Sequence, residues 1–160
     1  MWTWFWRGEK LLKVGDVAPD FSAVANDGTT VRLKDYLSQG PIVLFFYPKD
    51  DTPGCTKEAC GIRDGFAEFK ELNATVFGVS FDSVANHQKF IAKYKLPFAL
   101  LADPDKKISV AYGAAGPSSL WASRITYIID GQGKIAHIFP KVSPAKHSAQ
   151  LRQVLVELRQ

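Results

Sequence analysis

Apolar residues along this chain fall into two alternating rhythms. Ile42-Val43-Leu44-Phe45-Phe46-Tyr47 is an unbroken, β-rich run between Pro41 and Pro48, the pattern of a strand buried on both faces. Between Thr56 and Leu72 the period changes: Ala59, Ile62, Phe66, Phe69 and Leu72 recur every three or four residues, which predicts one helix with a single apolar face. Thr75–Phe81 reads as a second strand. Asp82 or Ser83 then caps a helix that turns Val84, Phe90, Ile91 and Tyr94 inward, and Pro97 stops it. Phe98–Ala102 is a short strand. Asp103-Pro104 opens a further helix, with proline at its first position, and Gly113 closes it.

Two hairpins frame this core. Asn26-Asp27-Gly28 is a turn signal between Phe21–Ala25 and Thr30–Leu33, and Gly131-Gln132-Gly133 joins the strands Arg124–Asp130 and Lys134–Phe139. Ser143-Pro144 opens the last helix, with Leu151, Val154, Leu155 and Leu158 on its core face. Alternating strands and helices predict an α/β fold, a mixed central sheet flanked by helices with an N-terminal β-hairpin. There is no internal repeat and no linker. Residues 1–13 read as an aromatic and basic N-terminal extension, and residues 14–160 as one domain.

Composition narrows the class. With 160 residues, 46% of them hydrophobic and 22% charged, the chain is long enough to bury its own core. The net charge of +4 is spread along the chain. The longest basic run is the pair Lys106-Lys107, so no nucleic-acid partner is expected. No apolar run reaches the roughly 18 residues of a membrane span, so no integral membrane segment is expected. The opening Met-Trp-Thr-Trp-Phe-Trp precedes its basic residues, the reverse of a secretory leader. Two cysteines are too few for a secreted disulfide framework, and the chain is expected to be cytoplasmic. His87, His137 and His147 show no ligand spacing.

The candidate chemistry sits in the loop after the buried run. In open α/β sheets, sites collect beyond the carboxyl ends of the strands, where Pro48-Lys49-Asp50-Asp51-Thr52-Pro53-Gly54-Cys55 lies. Cys55 falls at a helix N-terminus, where unpaired N–H groups and the positive dipole end stabilise an anion such as a thiolate. The loop and helix start are expected to leave it exposed. Gly54 permits close approach of the backbone, and Thr52 offers a hydroxyl. Asp50 and Asp51 read as a solvated turn. Cys60 lies within the same helix. Helix geometry separates the two Cα atoms by about 8.7 Å and turns the sulfurs roughly 140° apart, beyond the 7 Å limit of a disulfide. Either both are free thiols, or the helix start unwinds when they join.

Ionisation alone does not make such a thiol fast. A thiol of pKa near 8.5 is about 3% thiolate at pH 7, so full ionisation gains at most about thirtyfold. A nucleophile toward oxygen would need donors aimed at its electrophile. Arg124 is the candidate cation, because a strand antiparallel to Ile42–Tyr47 would start beside the end of that run. Trp121 is a candidate pocket wall.

These residues resemble a known family. Pro48-x-x-x-Thr52-x-x-Cys55 is similar to the peroxiredoxin signature. The longer stretch from Phe46 to Cys60 resembles the bacterioferritin comigratory protein (PrxQ) branch, as do Val14-Gly15-Asp16-x-Ala18-Pro19-Asp20-Phe21, Leu100–Asp103 and Arg124–Asp130. The resemblance implies a thioredoxin-like fold and thiol peroxidase activity on hydrogen peroxide and organic hydroperoxides. It implies that Cys55 is the peroxidatic cysteine and Cys60 the resolving cysteine. It further implies that Thr52 bonds thiolate and peroxide, that Pro48 shields the intermediate, and that Arg124 stabilises charge in the transition state. A Cys55–Cys60 disulfide would be reduced by thioredoxin or a similar dithiol. No metal or organic cofactor is implied, and a monomer is expected. Two other readings share these residues. One is a redox sensor or holdase whose disulfide exposes Phe66 and Phe69. The other is a thiol–disulfide oxidoreductase, disfavoured because the pair is not C-x-x-C.

Overall fold

A computed structural model describes residues 11–159. The aromatic opening, residues 1–6, lies outside the described residues. Among the described residues seven strands form one mixed sheet: β1 (Ser22–Ala25), β2 (Thr30–Arg32), β3 (Ile42–Phe46), β4 (Thr75–Ser80), β5 (Ala99–Ala102), β6 (Ile125–Ile129) and β7 (Ile135–Phe139), in the order β2-β1-β5-β4-β3-β6-β7. The three central strands β3, β4 and β5 run parallel. The N-terminal hairpin adds to β5 antiparallel, and β6 and β7 extend the other edge antiparallel. This is the mixed sheet with a leading hairpin that the alternation predicts.

Burial follows the pleat. In β3, Ile42, Leu44 and Phe46 enter one apolar cluster with Phe77, Val79, Tyr112 and Tyr127. Val43 and Phe45 enter the other, with Tyr47, Ala59, Ile62, Leu100 and Leu151. Successive side chains point to opposite faces, so an unbroken apolar run is what a doubly covered strand requires. Leu11 and Leu12 also pack on the first cluster.

Among the described residues five α-helices cover the sheet: α1 (Pro53–Asp64), α2 (Phe66–Glu71), α3 (Val84–Tyr94), α4 (Lys107–Ala111) and α5 (His147–Arg159). Ser83 caps α3 by accepting the Asn86 N–H at 3.2 Å. Three helix readings need correction. The helix expected over 56–72 begins earlier, at Pro53, and breaks at Gly65 into α1 and α2. A Cβ at Gly65 would stand 2.7 Å from the Ser148 hydroxyl, so close approach of α5 sets the break. Pro104 does not start α4. Lys106 takes a left-handed φ of 65° before the helix, and Asp103 reaches past it to accept the N–H groups of Ile108 (3.1 Å) and Ser109 (2.8 Å). Likewise Ser143-Pro144 forms a turn, with the Lys146 N–H on the Ser143 carbonyl, and α5 starts at His147. Leu151 and Leu155 of α5 are buried, whereas Leu158 is 43% exposed.

Candidate active site

β3 aims its carboxyl end at α1, and Pro48, Thr52, Cys55 and Arg124 lie around that junction. Thr52 precedes the first helical residue. Its carbonyl accepts the Thr56 N–H at 2.8 Å, and its hydroxyl donates to the Lys49 carbonyl at 2.8 Å. Pro53 opens α1, where its missing N–H costs nothing. Cys55 is therefore in the first turn, among the unpaired N–H groups. Contrary to the sequence reading it is not exposed: only 1% of its surface meets solvent, and it packs in the cluster of Val43, Tyr47 and Ala59. The thiol is covered by the side chains of that cluster.

Arg124 comes from the far side of β3. The register pairs Phe46 with Ile125 in antiparallel β6, which sets Arg124 beside the residue after β3. Its guanidinium donates from Nη1 to Glu58 Oε1 at 2.8 Å. Burial opposes its charge, yet the Glu58 hydrogen bond and the neighbouring Cys55 side chain carry its pKa above the ordinary value. Gly54 matters to this contact, since a Cβ there would stand 3.1 Å from Arg124 Nη2. Pro48, Trp121 and Arg124 line an open recess of about 540 Å³, with Ser119, Leu120, Ala122 and Ser123. Trp121 is 58% exposed, so it walls the recess without joining the core. Cys60 is half-buried, five residues further along the intact α1, and both thiols are free.

Two acidic residues behave differently from their sequence reading or were passed over. Asp50 does not face water. Its carboxylate is 6% exposed and lies 2.6 Å from His87 Nδ1, while the Tyr47 hydroxyl donates to its other oxygen at 2.5 Å. Asp51 does sit in solvent, bound by Lys93 Nζ and the Tyr94 hydroxyl. Glu58 is fully buried, and burial, only partly offset by Arg124, pushes its pKa up to about 7. Its Oε2 lies 3.8 Å from His147 Nε2. His147 shares a 2.8 Å hydrogen bond with the Thr126 hydroxyl, and burial pushes its pKa down to about 4. Among the described residues, Glu58 Oε2 and His147 Nδ1 have no hydrogen-bond partner. The spacing of three from Cys55 to Glu58 was the available signal, because it places both on one helix face.

A profile of the AhpC/TSA family matches residues 14–138. The chain belongs to the AhpC/TSA family. The AhpC/TSA relatives include peroxiredoxin Bcp of Bacillus subtilis, 40% identical over 153 residues, which span 92% of this chain and 97% of that one. The crystal structure of peroxidoxin BcpB from Mycobacterium tuberculosis superposes with a TM-score of 0.86 at 35% identity, covering 93% of this chain and 99% of the other. A Xanthomonas campestris bacterioferritin comigratory protein, whose structures concern its alkyl peroxide reduction activity, superposes at 0.83 with 27% identity over 93% and 98%. The AhpC/TSA fold thus accounts for the sheet order found here. Among the described residues no helix is long and apolar enough to cross a membrane.

Proposed function

We propose that this chain is a thiol peroxidase that works through Cys55 and Cys60. The Cys55 thiolate attacks the nearer oxygen of a peroxide, ROOH. The S–O bond forms as the O–O bond breaks, and the leaving oxygen takes a proton to depart as water or alcohol. Cys55 is then a sulfenic acid. The Cys60 thiolate attacks that sulfur, the S–O bond breaks, and water leaves as the Cys55–Cys60 disulfide forms. Thioredoxin or a similar dithiol returns both thiols.

The observation that carries this reading is the Cys55 thiol in the first turn of α1, with the Arg124 guanidinium beside it. Helix N–H groups and Arg124 favour the thiolate and the negative charge that grows on the departing oxygen. The Thr52 hydroxyl commits its proton to the Lys49 carbonyl, so its lone pairs are left to accept the peroxide proton. Pro48 and Trp121 give the recess apolar walls, which suits organic hydroperoxides as well as hydrogen peroxide. With α1 intact the cysteines stand about 8.7 Å apart, so the disulfide requires its first turns to unwind.

One equivalent of peroxide followed by mass measurement tests this. The expected product has lost two hydrogens, mapped to one linked 55–60 peptide. Cys55→Ser should abolish peroxide consumption. Cys60→Ser should permit one turnover and stop at the sulfenic acid. Sustained dithiol-driven turnover by Cys55→Ser would overturn the mechanism. A wild-type rate no better than a free thiol would favour the sensor reading.

A further inference from the structure

The His87–Asp50 pair is buried, adjoins the site and has no part in the chemistry above. His87 is wholly buried in α3. Its Nε2 lies 3.0 Å from the Leu101 carbonyl, which can only accept, so Nε2 carries a proton. Its Nδ1 is 2.6 Å from Asp50 Oδ2, and a proton must lie between those atoms whichever holds it more tightly. Tyr47 donates to Asp50 Oδ1. Burial, then the Asp50 charge, drives the Tyr47 pKa well above its ordinary value, so the phenol stays a donor. The Asp50 N–H donates to Asp82 Oδ2 at 2.9 Å, and the Ser80 hydroxyl holds that same oxygen at 2.6 Å. One loop residue is thereby tied to the ends of β3 and β4 and, through His87, to α3 and β5.

That residue sits midway between Pro48 and Thr52. A second tie, Asp51 to Lys93 and Tyr94 on α3, is solvent-exposed and of the kind that contributes little. His87 is the anchor that solvent does not screen. We propose that His87 is a positioning residue for the peroxide step: through Asp50 it holds the loop that presents Pro48 and Thr52 to Cys55. The proposal rests on the peroxidase reading above. It also gives the unwinding of α1 a fixed upstream boundary, since Asp50 stays tied to α3 when the first turn opens.

Two variants separate positioning from bulk stability. Asparagine at position 87 places its amide nitrogen where Nδ1 lies and keeps the bond to Asp50. Glutamine places its nitrogen where Nε2 lies and keeps only the Leu101 bond. Three readouts are taken on the full reduced chain in a Cys60→Ser background: the single-turnover peroxide rate, the denaturation midpoint and hydrogen exchange at the Asp50 amide. His87→Gln should slow the peroxide step roughly 10- to 100-fold, the scale of a displacement near 1 Å, and should lose Asp50 amide protection. His87→Asn should stay within about threefold of the parent, the scale of one lost neutral hydrogen bond, with that protection kept. Equal rates for the two variants, or rates that merely follow the midpoints, would overturn the proposal. If His87→Gln does not fold, Asp50→Ala breaks the same tie from the loop side and is judged by the same criteria. A parent that reacts no faster than a free thiol would sink the peroxidase reading and this one with it. A fast parent with an equally fast His87→Gln would sink the positioning role alone.

Discussion

Gly54 shows how little room the site leaves. Its backbone is helical, so alanine there would favour the helix, but the added Cβ would press on Arg124 Nη2 from 3.1 Å. Gly54→Ala is expected to leave the melting temperature level or raised while lowering the peroxide rate roughly tenfold, about 1.4 kcal/mol of transition-state stabilisation. Stopped-flow oxidation alongside thermal unfolding checks both signs, and an unchanged rate would mean that Arg124 is free to move aside. The residues the structure gathers here were legible to different degrees. Cys55, Thr52 and Arg124 stood out because a helix start after a buried strand is a special place in this fold class, whereas the role of Pro48 came only from the family resemblance. Asp50 did not, because Asp-Asp in a loop usually marks a solvated turn. The three-dimensional approach of His87, 37 residues away, together with the Tyr47 and Asp82 bonds, distinguishes it from Asp51. The depth of Cys55 was hidden for a similar reason: the cover over it comes from the packing of distant elements.

At the scale of elements, periodicity identified the strands and α3 because their apolar spacing is set by the sheet they touch. It failed where a neighbour or a cap decides. Gly65 breaks the long helix because α5 needs the space, and Asp103 caps α4 from beyond the turn. Helix α1 carries the most consequential of these local balances. Glu58 is buried within the segment proposed to unwind, with its pKa raised to about 7 from an ordinary 4.5. The groups that face it are Arg124, just before β6, and His147 of α5, whose own pKa burial holds down. Unwinding would release Glu58 to water and restore an ordinary carboxyl. The wound helix then holds more protons than the open one between pH 4.5 and about 7. Its stability from this group is full below the lower value and is lost as pH rises through the upper one. Hydrogen exchange across residues 54–60 of the reduced protein, corrected for base catalysis, should show opening that grows from pH 5 to 7.5 and then levels. Glu58→Gln should flatten that profile. A flat profile in the unmodified protein would show that Glu58 stays buried when the segment opens.

For the whole molecule, the proposed cycle sets local helix stability against covalent closure. Joining residues 55 and 60 closes a very short loop, which constrains the unfolded chain by only about 2 kcal/mol. Unwinding the start of α1 gives up roughly three backbone hydrogen bonds at about 1 kcal/mol each. It also gives up the packing of the buried Cys55 side chain, worth about 1 kcal/mol more. The loss exceeds the gain by about 2 kcal/mol. The oxidised protein should therefore melt lower than the reduced one, by about 4–8 °C for a chain of this size. Of the two apolar clusters only the second holds α1 residues, and Ala59 and Ile62 lie beyond the first turn, so unfolding should remain a single transition in both forms. A bridge that the folded state disfavours is easily reduced, as a catalytic disulfide recycled by an external dithiol must be. Calorimetry of the two forms decides the point. If the oxidised protein melted higher, the bridge would be a structural staple, and repeated turnover through it would lose its thermodynamic basis.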